Sequence, residues 1–451
     1  MNMIAQRFRT ITVLSLCAII FLVLSAFLYW YAPEQGHYDV DSAGYDAIAT
    51  HYAKTGILAD PQKIGSAPIQ TTGYPLCVGL LYQDFGHSIP LVIFLQIILA
   101  CVSLLLLYRI ARLAIHKTVG LIACLLATCT VGWYVYPQFL LAETVLVFVL
   151  LLFFERFFAY MRSKDLRYDL QLAAALLALS VLIKPCALLY ALCVIPVIWR
   201  VADPGKKLLS VFVFTLIFYG IVGAYMLRNY IEYNRFALAP MTELNIYQCY
   251  FSKVLSRLEH KPEAEVIEEK LRFSGIHSFD SAGWGNAKTL FFATVKQHPA
   301  LFLQVWMVNV GKTLFGLYST QLKLLFDPHL RGGHCSFFKT SGTIFERLWA
   351  YIVGGTQSNV IKAIAIFEVL FSLFRWIFAF IGIYVLYRRR EYTLLWIFGS
   401  FIVQAALITG IDGCCRYRIV FESMLIILCA IGIYAVYRYL HISRGPRKKM
   451  F

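Results

Sequence analysis

The run ITVLSLCAIIFLVLSAFLYWY, residues 11–31, contains no charged side chain. A helix rises about 1.5 Å per residue, so a run of this length reaches across the ~30 Å apolar core of a bilayer. It is longer than the apolar region of a signal peptide, and no A-x-A cleavage site follows. It therefore reads as a retained first span behind a basic start at Arg7 and Arg9. The rest of the chain repeats the pattern. Of 451 residues, 60% are hydrophobic and 15% are charged, with a mean hydropathy of +0.68. A soluble domain is nearer half apolar and a quarter charged. No period-two alternation is sustained, which argues against a β-barrel. The expected fold is an all-α polytopic membrane protein.

Apolar runs at 11–31, 89–115, 118–135, 141–160, 170–184, 186–200, 208–227, 362–387, 392–411 and 420–440 give about ten spans. The formal net charge of +16 falls in short clusters between them. These are Arg7/Arg9, Arg109/Arg112/Lys117, Arg162/Lys164/Arg167, Arg200/Lys206/Lys207, Arg388–Arg390 and Arg444/Arg447/Lys448/Lys449. Placing every cluster in the cytoplasm satisfies the positive-inside rule, so the charge is no sign of nucleic-acid binding. Both termini are then cytoplasmic, and a bacterial inner membrane is the expected location. Segments 32–88, 136–142, the turn at Lys184-Pro185, 228–361 and 410–418 face the exterior. The chain divides into a transmembrane module (1–227) holding the first outer loop (32–88), an exofacial or juxtamembrane region (228–361), and C-terminal spans (362–451). The run His298 to Tyr318 reads as a helix on the membrane surface, with an eleventh span as the alternative. Most of the twelve cysteines sit in apolar runs; Cys77, Cys249, Cys335, Cys414 and Cys415 fall in loops, where a disulfide can form. No CxxC or Cys/His cluster marks a zinc site.

The first outer loop opens with DVDSAGYDAIA, residues 39–49. Asp41 or Ser42 can cap a helix. Tyr45, Ile48, Ala49, Tyr52 and Ala53 follow at helical spacing as one apolar stripe, expected to lie on the lipid surface. Asp46 takes the opposite, polar face, and Gly56 ends the helix. Asp39, His37 and His51 read as solvated. TTGYPLCVGLLYQDFG (71–86) is a second apolar helix, too short to span.

Ionisable groups near membrane depth are costly, and several fall on the same side. Asp41 can be an N-cap or a base favoured by a helix N-terminus. Glu143, in PQFLLAETVLVFVL, can complement a helix dipole or be a second carboxylate meeting Asp41. Lys184, in ALSVLIKPCALLY, can be a topological stop or a cation for an anionic headgroup. Arg228, Arg416 and Arg418 run against the positive-inside tendency, and a phosphate ligand would give the reason; pairing with Asp412 or Glu422 is the alternative. Glu368 and Arg375, seven residues apart, can form an internal pair. Glu155-Arg156 reads as an interfacial pair. There is no P-loop, GxSxG or HExxH motif, so any chemistry must use an activated substrate. A sugar on a lipid phosphate is one. Phosphate leaves as an anion stabilised by Arg, Lys or a divalent metal, and a carboxylate takes the acceptor's proton.

These pieces carry a resemblance. DSAGYDAIATHYAKTG, TGYPLCVGLLYQDFG, LLAETVLVFVLLLF, LRNYIEYNRFALAP and CCRYRIVFESMLIILCAIGIY resemble, in order, the motifs of the GT-C membrane glycosyltransferases. Most similar are the members related to protein O-mannosyltransferases and the lipid A aminoarabinose transferase. HPALFLQVW resembles their membrane-hugging helix. The resemblance implies a GT-C bundle of 10–11 spans with exofacial interfacial helices. It implies a polyprenyl-phosphate-sugar donor and a lipid, glycan or protein acceptor. Asp41 maps to the catalytic position and Glu143 to the second acidic one. Lys184, Arg228, Arg416 and Arg418 are the expected phosphate-binding residues, with Tyr45 and Tyr74 lining the cavity. No cofactor is fixed, and a divalent metal stays open. Thr72 stands where relatives carry Pro, and Lys184 where many carry Arg. Alternatives outside this reading are a transporter or flippase of lipid-linked sugars; within it, an O-antigen ligase or polymerase.

Overall fold

A computed structural model of the protein describes residues 2–61, 68–271, 281–330, 342–354 and 358–442. The regular structure of these residues is helical. The first half carries α1 (Asn2–Tyr31), α2 (Ser42–Thr55), α3 (Gly73–Phe85), α4 (Ile89–Ala114), α5 (Lys117–Thr128), α6 (Val131–Val135), α7 (Glu143–Ser163), α8 (Gln171–Ile183), α9 (Tyr190–Val201) and α10 (Lys207–Tyr233). The middle region carries α11 (Met241–Leu244), α12 (Ser252–Glu259), α13 (Glu263–Val266), α14 (Ser281–Gln297), α15 (Pro299–Phe315), α16 (Ser319–Phe326) and α17 (Ile344–Val353). The chain closes with α18 (Asn359–Arg388), α19 (Tyr392–Thr409) and α20 (Arg418–Ile442).

Among the described residues, eight helices are long and apolar enough to cross a membrane, and two bent pairs raise the number to ten. This is an integral membrane protein. The differences from the expected spans have local causes. Segment 118–135 is broken: α5 ends at Thr128, and Val131–Gln138 turns away by 65°. The carbonyls freed there are taken by Thr130 Oγ1 on Leu126 (2.9 Å) and by the Tyr134 hydroxyl on Thr128 (2.6 Å), as an apolar environment demands. The 186–200 run contains the 12-residue α9, because Pro185–Ala187 form a 3-10 turn. At about 18 Å, α9 is too short to cross alone. His298–Tyr318, expected on the membrane surface, is α15 packed on α19 and on the 415–417 turn, then bent by 75° into α16.

Helix α20 runs through the centre of the bundle, and every side chain from Ile419 to Ile431 is buried. An apolar helix in a bilayer can be covered by lipid or by protein; around α20 the cover is protein. Helices α4, α5, α7, α18 and α19 supply it. The stripe of α2 is also covered by protein. Tyr45, Ile48 and Ala49 are buried, and α2 packs on α3. Amphipathic spacing shows that a face needs cover but not what covers it, so the expected lipid contact is replaced by α3.

Candidate active site

The segment between α1 and α4 is pinned before α2 begins. Chain 34–37 makes a 3-10 turn, and buried His37 donates from Nδ1 to the Gln138 carbonyl at 2.7 Å. The Leu140 N–H returns a bond to the His37 carbonyl (3.0 Å). His37 is therefore not the solvated residue expected. Burial holds its ring pKa below the ordinary value, against the opposing pull of the Gln138 bond. Asp46 is likewise engaged, accepting from Tyr82 (2.7 Å), Tyr38 (3.3 Å) and His87 (3.0 Å), so it ties α2 to α3 and to the start of α4. At the far end Gly56 closes α2 with a left-handed φ of 73°, a conformation that favours glycine.

Asp41 occupies the N-cap position of α2 but makes no side-chain cap. Ser42 does not cap either; its Oγ accepts the Asp39 N–H at 2.8 Å. The Asp41 carboxylate turns instead to Arg416 Nη1, at 2.7 Å. Arg416 lies in the short turn Cys415–Tyr417 that leads into α20. On its other edge, Arg416 Nε and Nη2 hold Glu143, the latter at 3.3 Å, and Lys184 Nζ reaches the same carboxylate at 2.5 Å. Asp39 stands 3.9 Å from Arg416 Nη1, which corrects its reading as a solvated residue. Three carboxylates from the first loop and α7 thus converge on two cations from the α8–α9 break and the start of α20.

Lys184 is positioned by the break. Pro185 lacks an N–H and disfavours helix at the residue before it, and Lys184 is extended at φ −155°, ψ 126°. The freed carbonyl of Ile183 accepts from Thr71 Oγ1 (2.8 Å), and that of Cys186 from Gln404 Nε2 (2.7 Å). Thr72, which departs from the resembled motif, bonds Tyr225 through its N–H (3.2 Å) and its hydroxyl (3.0 Å).

Exposure separates the carboxylates. The Glu143 side chain is 0% exposed, Asp39 9% and Asp41 28%. Asp41 is thus the acid of this group most open to an incoming molecule. Tyr45 and Tyr74 form a buried wall beside them, ring centroids 4.9 Å apart and edge to face. The Tyr74 hydroxyl bonds Gln96 at 3.0 Å. Burial, then the Glu143 charge, pushes the Tyr45 hydroxyl well up, so it stays protonated.

The other two arginines go elsewhere. Arg228 pairs with Glu232 (2.5 Å) and donates to Asn229 Oδ1 (3.1 Å) and the Leu58 carbonyl (3.1 Å). Arg418 is wholly buried with Glu422 (3.0 Å) and Tyr318 (3.2 Å). Arg375 pairs with Glu422 and Glu368 with Arg418, so Glu368 and Arg375 lie in one network without pairing to each other. Sequence reasoning missed Tyr417, whose ring centroid is 4.9 Å from Lys184 Nζ, and Lys253, which donates to the Asp412 carbonyl at 2.8 Å. Asp412 accepts from Tyr417 at 3.2 Å, joining Lys253 to the cluster. The sequence signal for Tyr417 was its place inside CRYR; Lys253 carries none. Among the described residues no set of three or more His, Cys, Asp or Glu side chains is arranged to hold a metal ion, and the three carboxylates here share a guanidinium. No described cysteines are bonded to one another; Cys335 lies outside the described residues.

Residues 73–225 match the family model described as dolichyl-phosphate-mannose-protein mannosyltransferase. No curated protein sequence matches the chain. In structure it is similar to the oligosaccharyltransferase AglB from Archaeoglobus fulgidus in complex with an inhibitory peptide and a dolichol-phosphate. The TM-score is 0.53 at 14% identity, over 99% of this chain and 53% of that one. The oligosaccharyltransferase of the same organism tethered to an acceptor peptide with the NVT sequon gives 0.56 at 16% identity, over 98% and 52%. ArnT from Cupriavidus metallidurans bound to undecaprenyl phosphate gives 0.40 at 12% identity, over 96% and 81%. The chain spans about half the length of the archaeal enzymes it matches. At these identities the archaeal likeness is one of fold, a GT-C-like fold; residues 73–225, which bring Glu143 and Lys184 to the cluster, are the part of the chain that matches the dolichyl-phosphate-mannose-protein mannosyltransferase model.

Proposed function

We propose that the protein is a membrane glycosyltransferase. It moves a sugar from a polyprenyl-phosphate donor to an exofacial lipid, glycan or protein acceptor by direct displacement. The acceptor oxygen or nitrogen attacks the anomeric carbon as the bond from that carbon to the phosphate oxygen breaks. The acceptor proton passes to Asp41, and the electron pair of the broken bond leaves with the phosphate. The anomeric centre inverts. Arg416 and Lys184 face the departing phosphate, and Glu143 holds both cations in place. Lys253 pairs with the Asp412 carboxylate (3.6 Å), which in turn holds the Tyr417 hydroxyl. Tyr45 and Tyr74 form the wall that excludes water.

The observation that carries this reading is the placement of Asp41. It is the open member of a carboxylate group whose other members are enclosed, and it shares its cation with fully buried Glu143. A base must reach its substrate, and an organising acid need not. The archaeal relative solved with a dolichol-phosphate and a peptide supports a polyprenyl-phosphate donor and leaves a protein among the acceptors. The site faces the exterior if the basic clusters lie in the cytoplasm.

The test supplies the purified protein in lipid discs with labelled polyprenyl-phosphate sugars and compares wild type with Asp41→Asn. Loss of a general base lowers transfer by about 10²–10⁴-fold. Transfer within a factor of about three of wild type would remove Asp41 as the base. A parallel arm with EDTA asks whether a divalent cation shares the work of Arg416.

A further inference from the structure

The ion network of Arg375, Arg418, Glu368 and Glu422 takes no part in this chemistry, yet each side chain is 2% exposed or less. Burying four charges in a membrane bundle is costly unless each is fully bonded. Their partners show what they hold. Arg418 Nη1 donates to the carbonyls of Leu314 (3.1 Å) and Gly316 (2.7 Å), and Nη2 reaches Glu368 at 3.5 Å. Glu368 accepts the N–H groups of Tyr318 (2.6 Å) and Ser319 (2.8 Å). The Leu317 N–H goes to the Tyr351 hydroxyl at 3.0 Å. These backbone groups lie at the 75° break between α15 and α16. Backbone freed by such a break in an apolar environment needs partners, and side chains from α17, α18 and α20 provide them.

The break is joined to both halves of the site. Past it, α16 packs on the 34–37 turn, where a Cβ on Gly36 would strike the Leu325 carbonyl. Gly36 lies three residues before Asp39. The Tyr318 ring stands edge-on to Tyr136, 5.7 Å between centroids. On the other side, Arg418 begins α20 two residues after Arg416. The Arg418 guanidinium is therefore linked through the break and α16 to the loop that presents Asp41, and along the chain to the turn that presents Arg416.

We propose that Arg418, acting with Glu368 through the α15–α16 break, is a positioning residue that sets Arg416 against Asp41 and does not itself bind phosphate. This rests on the reading that Arg416 and Asp41 form the reacting site. Arg418→Lys keeps the charge and loses the two-sided fork. Glu368→Gln, a second variant, keeps the size and an acceptor oxygen.

Two readouts test it. Hydrogen exchange needs no activity: in both variants amides at 34–42 and 415–417 lose about tenfold in protection while those of α4 hold. Transfer is the other. Arg418→Lys lowers kcat by about tenfold or more, since a small misplacement of reacting groups is costly, and leaves the donor KM within about twofold. In an Arg416→Lys background the same change costs less than about twofold, because the two act as a unit. A raised KM with kcat intact would mean direct phosphate contact and overturn the proposal. Additive losses in the double variant, unchanged exchange at 34–42, or exchange raised equally across α4 would also overturn it. If wild type transfers no sugar while the exchange pattern appears, the functional reading fails and the positioning network stands.

Discussion

Replacing Glu143 by Gln removes one charge and almost no volume, and its effect can be worked from the partners it strands. The carboxylate is enclosed by Lys184 at 2.5 Å and by Arg416. Arg416 would keep Asp41 at 2.7 Å and Asp39 at 3.9 Å. Lys184 would keep the face of Tyr417, a weaker partner. Breaking a buried pair from one side costs about 3–5 kcal/mol. At about 2.1 cal/mol/K per residue over 451 residues, this lowers the Tm by roughly 3–5 °C. Asp41→Asn gives the opposite profile. Its ion pair is partly open to solvent and contributes under about 1 kcal/mol, so the fold is spared. Transfer falls by the general-base factor, about 2.7–5.4 kcal/mol of barrier. Adding Lys184→Met to Glu143→Gln removes the stranded ammonium and recovers about half of the lost stability. The assay is thermal unfolding in detergent by intrinsic fluorescence, with transfer measured per folded molecule. An unchanged Tm in Glu143→Gln, or a Lys184→Met loss that simply adds to it, would refute the view of Glu143 as the counter-ion that holds both cations.

His37 gives a pH dependence. Its pKa is depressed by burial, so the folded state keeps the ring neutral while the unfolded chain takes a proton near 6.5. The unfolded state then binds more protons, so stability present above pH ~6.5 is lost as the pH falls below it. The fall in Tm between pH 7 and 5 should be shallower in His37→Gln. Gly36→Ala drives a Cβ into the Leu325 carbonyl, costing about 1–3 kcal/mol in overpacking; it should lower both the Tm and transfer, because the same turn presents Asp39 and Asp41. Glu155 bonds Arg109 and Arg156, each at 2.5 Å, twelve residues along α7 from Glu143. That is about 18 Å away along a helix. Glu155→Gln should lower the Tm and leave transfer per folded molecule unchanged; a large loss of turnover would show that the distant network reaches the site.

The apolar runs were legible because a bilayer imposes length, and Lys184-Pro185 was legible as a break because proline imposes one. The meeting of Asp41, Glu143, Lys184 and Arg416 was legible only in outline. Charge placement put these groups at one membrane boundary, and their pairwise bonds depend on how α7, α8 and α20 pack. Asp39 was passed over because a carboxylate two residues before a helix N-cap has the pattern of a solvated group. What it meets is Arg416, in the turn before α20, nearly four hundred residues later in the chain. Arg416 and Arg418 show the limit most sharply. Both stand in CCRYRIVFES, at the same depth, and carry the same charge. Two residues along a helical turn, however, rotate a side chain by about 200–240°, so one arginine can face Asp41 and Glu143 only if the other faces away. Spacing alone says that the two differ. Choosing between them requires knowing that α16 and α18 lie on the Arg418 side, and that follows from a break between α15 and α16 whose backbone needs that very guanidinium.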